Sequence, residues 1–353
     1  MKKWLGIYIG ITLIGILLLS RISPQKKQYS NSAITLPTSK NPTLSKSIFL
    51  PYWGSEMDAT EMKYDNYYYF GVQPTIQGTL ENESGLQNIG IAKKIPEKQK
   101  ELVLRMLNST VTEVLLEEKQ AQKVLVSQII TTLNSFSFSG IVLDIEVPFT
   151  LNTDKKDKIT KFVQLLCTAI KSDYKTCSVL IYGDTYYRSR PYDVKKLGRI
   201  VDKILIMTYD FHKAGGEPGP NFPLSHQSVN EGGPEVDYGY DFKHMIADFL
   251  IDVPKEKIEV VFGMYGYDWT LNMQGTPLKT AVALSVNNIK SKVRSLKLKV
   301  ISNEAREKKI EYIDDVGKKH IMWYEDEESA EVKTKYLEQL GIGRVSFWAQ
   351  SYF

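Results

Sequence analysis

The chain of 353 residues is poor in the side chains that mark several common functions: it has two cysteines and four histidines. Two thiols and four scattered imidazoles poorly support a metal centre, and so few cysteines exclude a disulfide scaffold. Charge of one sign is lacking too. Lys and Arg total 45 against 41 Asp and Glu, a formal net charge of +4, and the basic residues gather into no stripe, so nothing points to nucleic acid. With 42% hydrophobic and 24% charged residues the chain is not compositionally disordered, and it can build one core of about 250–300 residues carrying a small insertion. Cys167 lies in an expected helix and Cys177 opens an expected strand. Two buried thiols are the favoured reading, with pairing in an oxidising compartment as the alternative.

Long hydrophobic runs are scarce as well. The one exception covers residues 4–20, follows Lys2 and Lys3, and is near the lower limit for spanning a bilayer. Leu18-Leu19-Ser20-Arg21-Ile22-Ser23 offers neither a small-residue cleavage site nor a cysteine for lipid attachment. Residues 1–20 are therefore expected to be an uncleaved signal-anchor, with secretion after cleavage as the alternative. Arg21, Lys26 and Lys27 follow the run, so charge does not orient it. Residues 21–45, rich in Ser, Thr, Pro, Asn and Lys, read as a disordered linker.

What is present is an alternation of short apolar runs with amphipathic segments. Strands are expected at residues 48–53, 67–71, 102–106, 139–146, 177–182, 203–207, 259–264 and 344–348, with helices at about 113–133, 155–172 and 328–339. Eight strands separated mostly by helices favour a closed parallel (β/α)8 TIM barrel over residues 46–353, with its site at the C-terminal strand ends. Residues 270–319 are too many for a loop; a helical stretch at 286–293 and a strand-like Glu311-Tyr312-Ile313 suggest a small α+β insertion after strand 7.

The most informative segment is Ser139-Gly140-Ile141-Val142-Leu143-Asp144-Ile145-Glu146. Burying carboxyl groups without partners is expensive, so an apolar strand that keeps two of them needs a reason. Alternation puts Gly140, Val142, Asp144 and Glu146 on one face and Ile141, Leu143 and Ile145 on the other. The apolar face suits an outer helix layer and the acidic end suits a cleft; an edge strand with two solvated acids is the plain alternative. Three further strand ends carry unusual residues: Met207-Thr208-Tyr209-Asp210, Met264-Tyr265-Gly266-Tyr267-Asp268-Trp269 and Phe347-Trp348. The 21 Tyr and 5 Trp suit stacking on sugar rings as well as an aromatic core.

Taken together these segments resemble glycoside hydrolase family 18, the chitinase-like hydrolases. Gly140 to Glu146 is similar to the later part of the DGxDxDxE strand, Met207 to Asp210 to the MxYD strand, and Trp348 to the Trp of the final strand. Trp323-Tyr324-Glu325-Asp326-Glu327-Glu328-Ser329 resembles a segment of the bacterial cell-wall and spore-cortex members. The resemblance implies retaining hydrolysis in which the substrate's own 2-acetamido group is the nucleophile, an exception to the two-carboxylate scheme. Glu146 would be the general acid and then base, Asp144 would orient the acetamide N–H, and Tyr209 would donate to its carbonyl. Asp210 and Trp348 would bind the sugar, and Met207, Tyr265, Tyr52 and Trp269 are weaker candidates for substrate contact. His212 reads equally as a structural residue. No metal or organic cofactor is implied, and the barrel is expected to act as a monomer on N-acetylglucosamine-containing polysaccharide. Such a substrate would place it on the extracytoplasmic side of the cell membrane.

The chain departs from the family pattern at Ser139 and Val142, where the pattern has Asp. Loss of a like-charged neighbour eases ionisation of Asp144, whereas apolar Val142 desolvates it and opposes that. The expected consequence is slowed catalysis. Two other readings stay open: a catalytically silent glycan-binding barrel, and an endo-β-N-acetylglucosaminidase acting on glycoprotein glycans.

Overall fold

The computed structural model describes residues 43–54, 63–147, 153–225, 227–228, 236–302 and 305–353. The anchor expected at residues 1–20, and nearly all of the linker expected at 21–45, lie outside the described residues. No helix among the described residues is long and apolar enough to cross a membrane.

The chain opens with β1 (Ser45–Pro51), β2 (Asn66–Val72), the one-turn helix α1 (Ser84–Gln87) and β3 (Lys100–Met106). Helices α2 (Ser109–Glu117) and α3 (Lys119–Ser135) lead to β4 (Gly140–Ile145). Next come α4 (Thr153–Ser172), β5 (Thr176–Tyr182), α5 (Val194–Ile200) and β6 (Ile204–Thr208). A two-residue ladder of β7 (Gln227–Ser228) and β8 (Val236–Asp237) precedes α6 (Phe242–Asp252) and β9 (Ile258–Gly263). An inserted unit then supplies β10 (Tyr265–Leu271), β11 (Val282–Ser285), α7 (Val286–Leu296), β12 (Val300–Ser302), β13 (Lys308–Ile313) and β14 (Lys319–Tyr324). Helix α8 (Glu327–Leu340) and β15 (Arg344–Trp348) complete the fold.

Strands β1, β15, β9, β6, β5, β4, β3 and β2 close in that order into a barrel with every pairing parallel. This is the expected TIM barrel, and each expected strand overlaps an observed one. Both faces of such strands are covered, which is why they read as nearly continuous apolar runs. Val142 faces inward and packs with Phe49, Val103, Leu180, Leu205 and Val261, so the interior is a filled core. Ile141, Leu143 and Ile145 are buried on the opposite face. On α4 the buried residues Ile159, Phe162, Val163, Leu166 and Ile170 recur at helical spacing and form its core-facing stripe.

Three expectations require correction. The helix expected at 113–133 is two helices, because Glu118 is extended (φ −86°, ψ 96°); the break lets Leu115 and Leu116 of α2 and Leu125, Ile129 and Leu133 of α3 bury separately. The insertion is wider than 270–319. Its five-stranded antiparallel sheet, ordered β11-β10-β14-β13-β12, begins at Tyr265, with only Met264 between it and the seventh barrel strand. Gly266 is required there, since a Cβ would lie 2.0 Å from the Trp323 carbonyl oxygen.

The third correction concerns the cysteines, which form a disulfide with Cα atoms 5.3 Å apart. Helix α4 turns back through 173–175 into β5, so residues on either side of the turn come face to face; spacing alone could not show this. Closing a loop of this size stabilises by about 2–3 kcal/mol through the unfolded chain. The double variant Cys167→Ala/Cys177→Ala is therefore expected to lose about that much in urea unfolding. Unchanged stability would show that the bond is dispensable.

Candidate active site

The C-terminal ends of the barrel strands bring one set of side chains together. Asp144 ends the inward face of β4, and Glu146 lies one step beyond it, its backbone N–H donating to the Met106 carbonyl at 3.2 Å and so extending the ladder with β3. Tyr182 ends β5 and donates its phenolic hydrogen to Glu146 Oε2. Tyr209 and Asp210 follow β6, and Trp348 ends β15. Tyr182, Tyr209 and Trp348 all pack on the barrel's interior cluster, and the charges of Glu146, Asp144 and Asp210 all act on the Tyr209 phenol. Glu146, Tyr182, Tyr209, Asp210 and Trp348 are each partly exposed, whereas Asp144 is 1% exposed. The surface cavities of about 410 and 540 Å³ lie elsewhere, along the outer helices.

Electrostatics separates the two carboxyl groups by degree. Burial raises the Asp144 carboxyl well above the usual carboxylate range, the charge of Glu146 adds to this, and Arg105 opposes it. The competition left open by Val142 is thus decided by desolvation. Burial also raises Glu146; the Tyr182 hydrogen bond, Lys213 and Arg190 pull the other way, while Asp210 pushes with burial. The two acids interact, so their protons leave the pair in steps. A carboxyl whose pKa is raised in this way holds its proton more tightly and can serve as a proton donor.

Asp210 is held in a left-handed backbone conformation, φ 59°. Its N–H donates to Asn221 Oδ1 at 2.8 Å, and its Oδ1 accepts from Tyr267 Oη at 2.6 Å and from Tyr265. Both tyrosines stand on β10, so the insertion contributes directly to the site. Asn221 Nδ2 reaches the carbonyls of Gly263 and Tyr265, each at 3.3 Å, spanning the change from barrel to insertion. Gly263 keeps the space open, because a Cβ would fall 2.7 Å from the Tyr209 Cβ. Behind Asn221 stands a fully buried ion triad. Glu307 accepts from the Asn221 and Phe222 N–H groups at 2.5 and 2.7 Å, and Lys333 joins it to Glu325 at 2.8 and 2.5 Å.

The weaker candidates separate in the structure. Trp53 is 49% exposed and meets Tyr52 edge-on at 4.9 Å and Trp348 at 6.1 Å, which makes it continuous with the aromatic surface of Trp348. Met207 is sealed in the barrel core at 2% exposure. Tyr265 is buried and acts through Asp210. Trp269 is corrected to a packing residue: it is fully buried and its indole N–H donates to the Gly216 carbonyl at 3.0 Å. His212 is structural, its Nδ1 2.7 Å from the Pro220 carbonyl oxygen, and burial lowers its pKa. The residues that sequence reading missed are Tyr182, Asn221, Tyr267, Arg190 and Lys213. Tyr182, the last residue of an expected barrel strand, and Tyr267, within the unusual segment at 264–269, carried a positional signal.

A family model of glycosyl hydrolases family 18 matches residues 52–352. The chain belongs to this family. It is 27% identical over 242 residues to an uncharacterized glycosylase, YvbX, of Bacillus subtilis (strain 168), covering 66% of this chain and 63% of that protein. It is 24% identical over 246 residues to a cortical fragment-lytic enzyme of Bacillus anthracis, covering 68% and 53%. The chain thus spans 53–63% of the length of these relatives. Among solved structures, the spore cortex-lytic enzyme SleL of Bacillus cereus matches with a TM-score of 0.71 at 23% identity, over 90% of this chain and 73% of that one. An Ostrinia furnacalis group IV chitinase solved with allosamidin matches with a TM-score of 0.74 at 16% identity, over 88% and 92%. These structural likenesses establish the fold.

The raised Asp144 carboxyl has a consequence for stability. An acid whose folded pKa is raised favours folding most below its unfolded value near 4, and that contribution is lost as pH rises through the folded value. Asp144→Asn is therefore expected to gain about 1 kcal/mol at pH 7, or roughly 2–4 °C in Tm, with the gain vanishing near pH 3. A Tm difference that does not depend on pH would refute the assignment.

Proposed function

We propose that this chain is a retaining glycosidase that cleaves β-1,4 bonds in N-acetylglucosamine-containing polysaccharide, using the substrate's acetamide as nucleophile. One observation carries this reading: a partly exposed Glu146 with a raised pKa stands with buried Asp144 and partly exposed Tyr209 at the C-terminal strand ends of a family 18 barrel. Glu146 gives its proton to the glycosidic oxygen as the bond breaks, and later takes one from the incoming water. Asp144 accepts the acetamide N–H and stabilises the positive charge of the cyclic intermediate, while the Tyr209 hydroxyl donates to the acetamide oxygen that attacks the anomeric carbon. Asp210 and Trp348 hold the sugar. Tyr182 keeps Glu146 aimed, and its hydrogen bond favours the ionised state from which Glu146 must be reprotonated.

Peptidoglycan is the favoured polymer, ahead of chitin; the cortex-lytic names among the relatives support this order. The Cys167–Cys177 bond supports a place for the barrel in an oxidising compartment, in keeping with an anchored chain whose barrel faces outward. Val142 leaves Asp144 without a second carboxyl group below it, which favours slow turnover and keeps a silent glycan-binding barrel as the second reading.

Products from purified peptidoglycan and from chitooligosaccharides, compared side by side, test the proposal. Wild type is expected to release reducing ends with retained configuration, more slowly than a family member with the full acidic motif by roughly 10- to 1,000-fold, or about 1.4–4 kcal/mol. Glu146→Gln should abolish release. Glycan binding without turnover in either protein would instead establish the second reading. Tyr182→Phe removes a hydrogen bond that lowers the Glu146 pKa, so the alkaline limb of kcat/KM is expected to move to higher pH; a limb left in place would remove Tyr182 from the mechanism.

A further inference from the structure

Arg105, on β3, is paired in register with Asp144 on β4. Their inward-facing neighbours one step below are Val103 and Val142, so alternation points both side chains into the barrel's upper layer. Arg105 is 7% exposed and Asp144 1%. Two buried polar atoms here have no hydrogen-bond partner among the described residues: Arg105 Nε and Asp144 Oδ1. One is a donor on a cation and the other an acceptor on an anion, on directly adjacent strands that lie about 4.8 Å apart. Native structures rarely leave such atoms unpaired without a functional reason.

The rest of the guanidinium is already committed. Nη2 donates to the Gly71 carbonyl at 3.2 Å and to Glu83, and the group lies 4.9 Å from the Tyr52 ring centroid and 5.4 Å from that of Phe70. Glu83 is itself tied down by Gln73. Arg105 is therefore fixed through Nη2, while its buried Nε has no partner among the described residues. Val142, by contrast, offers Asp144 no polar partner from below.

We propose that Arg105 is the positioning residue for Asp144, supplying from the neighbouring strand the fixed charge partner that Val142 cannot supply. By this attraction Arg105 keeps Asp144 available as an anion for the acetamide N–H and for the positive intermediate. The proposal rests on the hydrolase reading. A merely structural Arg105, serving only to pair with Glu83, would leave Asp144 indifferent to its removal.

The groups that bear on Asp144 set the sign of the test. Glu146 faces it from its own strand and Arg105 from β3; Tyr192, from the segment after β5, and Tyr209, from the end of β6, also feel its charge. Tyr182, Arg190, Lys213 and Asp210 reach it through Glu146. Arg105 is the cation acting directly, so its loss moves ionisation of the acid pair to higher pH.

The experiment follows the Asp144 carboxyl by infrared difference titration, assigned with Asp144→Asn, in wild type, Arg105→Met, Arg105→Lys, Glu83→Gln and Arg105→Met/Glu83→Gln. Arg105→Met is expected to raise the midpoint by about one pH unit or more, and the acidic limb of kcat/KM with it, while lowering kcat roughly 10- to 100-fold at nearly constant KM. Arg105→Lys should restore most of the midpoint. The double variant removes the ion pair as a unit, so it does not strand Glu83 without its partner, and its midpoint should still rise. Glu83→Gln keeps Arg105 and frees its charge, so its midpoint should fall. A midpoint unmoved in any folded variant lacking Arg105, or unmoved in Glu83→Gln, overturns the proposal. The titration needs no turnover: a wild type that cleaves neither polymer would defeat the hydrolase reading and leave the charge coupling separately measurable.

Discussion

Exclusion of water from the carboxyl groups at the end of β4 is the constraint around which the open face of the barrel is organised. Asp144 follows Val142 on the inward face of β4 and lies in register with Leu180, both members of the apolar interior cluster, a setting in which a negative charge has little solvent to stabilise it. The energetic penalty is chemically useful. It makes the pair reluctant to ionise together and raises the pKa of both carboxyl groups. The surrounding groups adjust that tendency without reversing it: Tyr182 and the nearby cations on one side, Asp210 on the other.

The insertion is part of the same machinery. Asp210 receives hydrogen bonds from two β10 tyrosines, and Asn221 fastens its backbone to the crossing between β9 and β10. The Glu307–Lys333–Glu325 triad then ties that crossing to α8. Removing one member of a buried ion cluster leaves an uncompensated charge, which makes the whole set mutually dependent. The segment at 323–329 that resembles cell-wall family members has a structural task here: Glu325 pairs with Lys333, and Asp326 and Ser329 form the capping box of α8. Its relation to the cleft runs through these contacts.

Residues that lie on a barrel strand or directly after one were legible from the chain. Asp144, Glu146, Tyr209, Asp210 and Trp348 all belong to apolar runs whose period and order pointed to the same end of the same barrel. Residues on connecting segments were not. Asn221 stands 11 positions from Asp210 in the chain, and Lys333 is a helix lysine that reads as solvent-facing until Glu307 and Glu325 are seen to converge on it. Trp269 misled for the opposite reason: it sits beside a strand end, yet the change of sheet at Tyr265 turns it into the insertion's core.

The sequence by itself determined the strand and helix alternation, the inward face of β4 and the identity of its acids, because these follow from local periodicity and from the expense of burying charge. Tertiary structure decided the pairing of Cys167 with Cys177, the start of the insertion, the support of Asp210 and the direction of the Asp144 shift. Each of these depends on distances between segments remote in the chain, and on how much solvent the packed barrel leaves beside a given group, neither of which is encoded by any short stretch of residues.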